Sequence, residues 1–223
     1  WRGYWWPNRG QPMVEPLSKY DAFVAARTGS DPGASEWERS HHVSHGLWWE
    51  GHCNGWAAAS IIRAEPLSPR IDNESGVRFK VSDQKGLLTE ADYCANASMF
   101  GRRYNGGRDD ITDIRPDVFH NTLLYYIGKL KKPVAMDYRR DAVVDNHVVS
   151  GYTMQIEEAE AGQFLVSVTL RMHQYDGFRS ESPGIANPYK RSYRYLLKLD
   201  GNNRAVGGRW LSENPDFIWV PLG

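Results

Sequence analysis

The stretch PDVFHNTLLYYIGKLKKPVAMDY, residues 116–138, changes its hydrophobic period part-way, and that change decides the fold class. Pro116 stands where a first helical turn favours proline. Val118, Phe119, Thr122, Leu123, Tyr126, Ile127 and Leu130 follow at helical spacing, and Pro133 stops the helix. From Val134–Tyr138 onward the pattern alternates. Val148–Ile156, Phe164–Met172, Tyr193–Leu199 and Ala205–Trp210 read as antiparallel strands, with turns at Arg139–Ala142, Glu158–Gly162 and Asp200–Asn203.

Upstream the signals are helical. Trp48–Arg63 contains the clearest helix start, Gly-His-Cys-Asn-Gly followed by Trp56 and three alanines, and Pro66 and Pro69 lie beyond its end. Val77–Val81 reads as a short strand, after which Ser82 is expected to cap a helix running toward Tyr93. Residues 1–20 form an aromatic-rich arm with no element before Lys19–Arg27. Residues 28–46 read as loop with one helical turn at Glu36–Arg39, and Gly101–Thr112 as a charged, glycine-rich loop. Helices first and strands afterwards predict an α+β fold, with N-terminal helices packed on a C-terminal antiparallel sheet. No linker separates the halves, so one domain over 1–223 is expected.

Composition narrows the function. The 223 residues carry 27 Lys+Arg against 27 Asp+Glu, which disfavours nucleic-acid binding through bulk charge. No run approaches the ~18 apolar residues of a membrane span. The two cysteines, Cys53 and Cys94, cannot build a disulfide framework. A chain opening on Trp1 reads as processed, with any leader removed. The nine Trp and twelve Tyr lean toward a secreted or cell-wall protein.

Cys53 stands just ahead of a predicted helix. A helix N-terminus carries about half a positive charge and unpaired N–H groups, which favour thiolate, the nucleophilic form. Gly51 and Gly55 are expected to leave room for a substrate backbone, and Trp48, Trp49 and Trp56 to wall the site. Cys94 is expected on an apolar helix face, in the core. His41, His42, His45 and His52 cluster before Cys53, but their spacing fits no zinc pattern and no metal ligand is assigned. A thiolate also needs a base and an orienting group. His147 opens a predicted strand, as the histidine does in papain-type proteases and animal transglutaminases. If the turn after Tyr138 centres near Ala142, Asp137 lies opposite His147 on one sheet face, whereas a one-residue slip would put them on different faces. Asp176, near the end of the next hairpin, is a second candidate. His120, on the helix after Pro116, is the competing base. Asp109, Asp110, Asp113 and Asp117 leave calcium possible, without EF-hand spacing.

Four stretches resemble the transglutaminase elicitor family of oomycete cell-wall proteins, also found in bacteria. They are Trp48–Ala57, Asp113–His120, Asp137–Gly151, and Gly207–Trp210 with Pro215–Trp219. The family's elicitor peptide reads Val-Trp-Asn-Gln-Pro-Val where this chain has Val144–Val149, so glutamine replaces His147 there and His120 stays open as base. The resemblance implies a papain/transglutaminase-like arrangement and a Cys-His-Asp triad. It implies a protein-glutamine γ-glutamyltransferase that joins glutamine- and lysine-bearing protein or peptide substrates by isopeptide crosslinks through a Cys53 thioester. Asn146, in the peptide stretch, joins Trp48, Trp49 and Trp56 as a substrate-binding candidate. Two alternatives use the same residues differently: a thiol hydrolase (peptidase or cell-wall amidase) with water as acceptor, and a non-catalytic wall-associated module.

Overall fold

The computed structural model describes residues 1–104, 106, 113–160 and 162–223. The chain falls into two compact units. Trp1–Ala95 with Tyr175–Asn187 form the first, and Asn96–Gln174 with Pro188–Gly223 the second. Among the described residues no helix is long and apolar enough to cross a membrane.

The first unit is helical. Helix α1, Val14–Thr28, begins earlier than its sequence suggests. Met13 and Leu17 are buried with Trp6, and Pro16 fits a first turn whose N–H groups have no helical partner. Gly29, left-handed at φ 74°, ends it by donating its N–H to the Ala25 carbonyl. Helix α2, Ala34–His41, is twice the single turn expected. Its start is held from α1, where the Asp21 carboxylate accepts the Ala34 and Ser35 N–H groups at 2.8 and 2.9 Å. No local signal announces such a cap. Helix α3, Cys53–Ile62, is the predicted one. Two-residue strands β1, Arg70–Ile71, and β2, Arg78–Phe79, pair before helix α4, Val81–Ala91. Ser82 does not cap α4. Asp83 does, its carboxylate accepting the Lys80 N–H at 2.7 Å, while the Ser82 hydroxyl donates to Glu181. Helices α3 and α4 approach so closely that a Cβ on Gly55 would lie 2.2 Å from the Thr89 carbonyl oxygen.

The second unit carries the sheet. Strand β3 is Ala97–Gly101. Helix α5, Pro116–Thr122, continues as a π-helical segment, Leu123–Lys129. Strands β4 (Val134–Asp137), β5 (Asn146–Glu160), β6 (Gln163–Gln174), β7 (Asn187–Leu199), β8 (Ala205–Trp210) and β9 (Phe217–Pro221) follow. The order across the seven-stranded antiparallel sheet is β3-β9-β4-β5-β6-β7-β8. The chain is therefore α+β, as its period change predicts. β3 and β9 went unforeseen. β9 is a buried run without alternation, the pattern of a strand covered on both faces. Phe119, Leu123 and Ile127 share one core with Met136, Val149, Leu170, Tyr195 and Ile218. The asparagine and histidine that open β5 are buried at the end of the sheet that β4 and β9 also reach.

Candidate functional site

Cys53 is the first residue of α3, and His52 is its N-cap. The positive end of the helix dipole falls on that first turn, beside the sulfur. Cys53 is buried, at 6% exposure. The flanking glycines serve packing, contrary to the expectation that they admit a substrate backbone. Gly51 lies against the Trp5 ring, where a Cβ would come within 2.7 Å, and Gly55 lies against α4. Trp56 is fully buried and donates its indole N–H to the Trp1 carbonyl at 3.3 Å, so it belongs to the core and does not form an outer wall. Trp48 is exposed and Trp49 half-buried. Cys94 is exposed beyond the end of α4, where core had been expected.

A charged cluster lies behind the nucleophile segment. His52 Nε2 is 3.1 Å from Glu90 Oε2, 3.5 Å from Glu38 Oε1 and 2.9 Å from His42 Nδ1. His42 Nδ1 is 2.6 Å from Glu38 Oε2. Burial pulls the His52 imidazole down, but its bonds to Glu38, Glu90 and the Trp6 carbonyl outweigh that and raise it to about 9. Burial pushes Glu38 up, yet the His52 bond and the His52 and His42 charges hold it below the usual carboxylate value. The Tyr93 ring lies 4.7 and 4.9 Å from the His42 and His52 rings. Burial first, and then the neighbouring Cys94 and Cys53, raise its phenol. The sequence showed the histidines but not the glutamates that meet them. His41 instead stacks on Trp37, and His45 pairs with Glu50.

The remaining candidates belong to the second unit. The pairing of β4 with β5 sets Met136 opposite His147 and Asp137 opposite Asn146. The register thus differs by one residue from that of a turn centred on Ala142, and Asp137 points to the other sheet face from His147. The carboxylate beside His147 is Asp145, with Oδ2 3.1 Å from Nε2, and on the other side of the ring Nδ1 bonds the Tyr189 hydroxyl. Asp145 stands two residues before His147 in that peptide stretch, whereas strand pairing pointed to Asp137. Asn146 accepts the Trp219 indole N–H at 2.7 Å. Asp137 is fully buried, and burial followed by the Asp216 charge raises it to about 8 against a bond from the Asp145 backbone. His120 bonds the Tyr195 hydroxyl through Nδ1 at 3.0 Å, and burial lowers its pKa. It also lines a cavity of about 630 Å³ with Leu124, Phe164, Leu197 and Arg204. Asp176, in the first unit, holds Arg2 through a two-pronged contact at 3.1 and 3.2 Å. Of the four aspartates that suggested calcium, Asp109 and Asp110 lie outside the described residues. Asp113 meets Arg140, and Asp117 meets Arg115.

Residues 44–175 match the family described as Transglutaminase elicitor. The chain belongs to the transglutaminase elicitor family. That span contains Cys53, His120, Asp137 and His147, and the first three of the stretches that carried the resemblance. The fold is that of the GP42 transglutaminase from Phytophthora sojae, with a TM-score of 0.68 over 99% of this chain and 81% of that one, at 19% identity. No curated protein matches the chain.

Proposed function

We propose that the chain is a transglutaminase, a protein-glutamine γ-glutamyltransferase acting outside the cell or in the wall. The observation that carries this is the placement of Cys53 at the first position of α3, inside the segment that matches the family. Cys53 thiolate attacks the side-chain amide of a glutamine, ammonia leaves and a thioester forms. A lysine amine then attacks the thioester, giving the isopeptide bond and restoring the thiol. The base takes the thiol proton, delivers it to the departing ammonia and later deprotonates the amine. We assign that role to His147, whose ring the Asp145 carboxylate orients through Nε2, so that Nδ1, beside the Tyr189 hydroxyl, is the nitrogen that carries the lone pair. His120 also bonds a phenol, but burial is the cause of its lowered pKa and no carboxylate contributes to it, so it is assigned the structural role.

The test follows a glutamine peptide and a fluorescent primary amine, measuring amine incorporation and ammonia release. Cys53→Ala is expected to abolish both. His147→Ala should lose about 10²–10⁴-fold in rate, and His120→Ala should stay near the parent. Crosslinking that survives Cys53→Ala refutes the reading. Release of free acid without amine incorporation makes the chain a thiol hydrolase instead. Labelling by iodoacetamide must use Cys94→Ser protein, since Cys94 is the exposed thiol. Failure of Cys53 to react there, with no turnover, favours a non-catalytic wall module.

A further inference from the structure

Helix α2, the start of α3 and the end of α4 bring together four side chains of metal-ligating type that acyl transfer leaves unused. Glu38 and His42 are four residues apart, on α2 and at its C-cap, and so share one face. His52 is the N-cap of α3, and Glu90 lies in the last turn of α4. One donor atom from each lies within 4.8 Å of all the others. Glu38 and His52 are 1% exposed at the side chain.

The His52 ring is fixed from behind. Its Nδ1 lies 2.9 Å from the Trp6 carbonyl, which can only accept, so Nδ1 carries the hydrogen. In the neutral ring the lone pair is then on Nε2, the atom that faces His42, Glu38 and Glu90. Metal-binding histidines are held in this way, with the second ring N–H tied to a carbonyl or carboxylate that sets tautomer and aim. Trp37 stands edge-on to His42 at 5.1 Å, and Tyr93 covers both rings, so aromatic surface encloses the cluster.

We infer that Glu38, His42, His52 and Glu90 form a site for one divalent transition-metal ion of the zinc type. Two imidazole nitrogens argue against calcium and magnesium, which take oxygen ligands. Zinc accepts imidazole nitrogen and carboxylate oxygen at about 2.0–2.2 Å in four-coordinate sets. A tetrahedron of that size separates its donors by roughly 3.3–3.6 Å. The donor pairs at 2.6 to 3.1 Å reach that by spreading a few tenths of an ångström to about one ångström, the pair at 3.5 Å already fits, and any pair out toward 4.8 Å closes in. Exposure of 11% at His42 and 19% at Glu90 leaves a side from which an ion can enter. The bound ion ties α2 and α4 to the residue that precedes Cys53 and fixes the N-terminal turn of α3. This role is independent of whether Cys53 transfers acyl groups.

Chelator-stripped protein is titrated with zinc chloride by calorimetry and with cobalt(II) by absorption. One ion per chain is expected, with a tetrahedral cobalt spectrum that lacks thiolate-to-metal charge transfer. Glu90→Gln and His42→Gln, at the accessible side, should keep the parent circular dichroism and bind zinc at least tenfold more weakly. Calcium chloride should leave the zinc titration unchanged. Three results overturn the site: no zinc uptake by stripped protein, unchanged affinity in both variants, or a cobalt spectrum showing cysteine ligation. His52→Gln, read the same way, keeps the question decidable if either edge variant misfolds.

Discussion

Asp176 in the first unit and Asp137 in the second are buried to the same degree, at 1% and 0% exposure, yet they meet that burial differently. Asp176 stays beside a guanidinium, in a two-pronged contact with Arg2. Asp137 lies near Asp216 and holds its proton up to about pH 8. The pattern extends beyond these two residues. In the first unit Lys85 pairs with Glu65 at 2.8 Å, Asp92 with Arg63 at 2.7 Å, and His52 with two glutamates. In the second, His120 bonds the Tyr195 phenol and burial pushes it toward the neutral form. A low-dielectric interior disfavours charge in both places; Asp176 answers it with a counter-charge and Asp137 and His120 with neutralisation, while Asp117 and His147 of the second unit keep Arg115 and Asp145 beside them.

Asp137→Asn tests the neutral half of that contrast and carries the largest effect. A carboxyl raised from 3.8 to about 8 keeps its proton in the folded chain while the unfolded chain has lost it. Its contribution to stability is therefore greatest below pH 4, falls by about 1.4 kcal/mol per pH unit up to about 8, and is level above that. Urea unfolding across this range should show the fall in the parent and a flatter profile in Asp137→Asn; equal slopes would mean that Asp137 is ionised. Glu65→Ala tests the charged half by leaving Lys85, 2% exposed, without its carboxylate. A loss of about 3–5 kcal/mol is expected, largely recovered by adding Lys85→Met. A cost under about 1 kcal/mol would show that water, not Glu65, stabilises the ammonium. Tyr195→Phe is the smallest. It removes the phenol that bonds His120 Nδ1 and should cost about 1–2 kcal/mol, read as a lower midpoint in the same denaturant series.

The features that could be read from sequence were those written locally. Helix α3 was visible because alanines follow Cys53 and prolines lie beyond Arg63. Strands β4 to β8 were visible because Pro133 ends the helical period and β-branched, aromatic and aliphatic residues recur between turn residues. β9 hid because both of its faces are buried and its residues do not alternate. The β4–β5 register was missed by one residue, since the connection from Tyr138 to Asp145 has no two-residue turn signature to fix its centre. That shift moved the carboxylate partner of His147 from Asp137 to Asp145. The Glu38–His42–His52–Glu90 cluster was unreadable for a further reason. Its members come from three helices, and no spacing along the chain encodes how those helices pack. Cys53 needed only its own helix and its own glycine-flanked segment.

Residues 1–7 bind the first unit much as a separate peptide would. Arg2 is clamped by Asp176, Gly3 and Tyr4 pair with the backbone at Asp176, and Pro7 bridges Gly51. The Trp6 indole fills a notch that exists because Gly86 has no Cβ. Cleavage between Pro7 and Met13 would therefore leave the arm seated as a non-covalent plug. Its loss would open an indole-shaped vacancy beneath α4 and take away the carbonyl that orients His52.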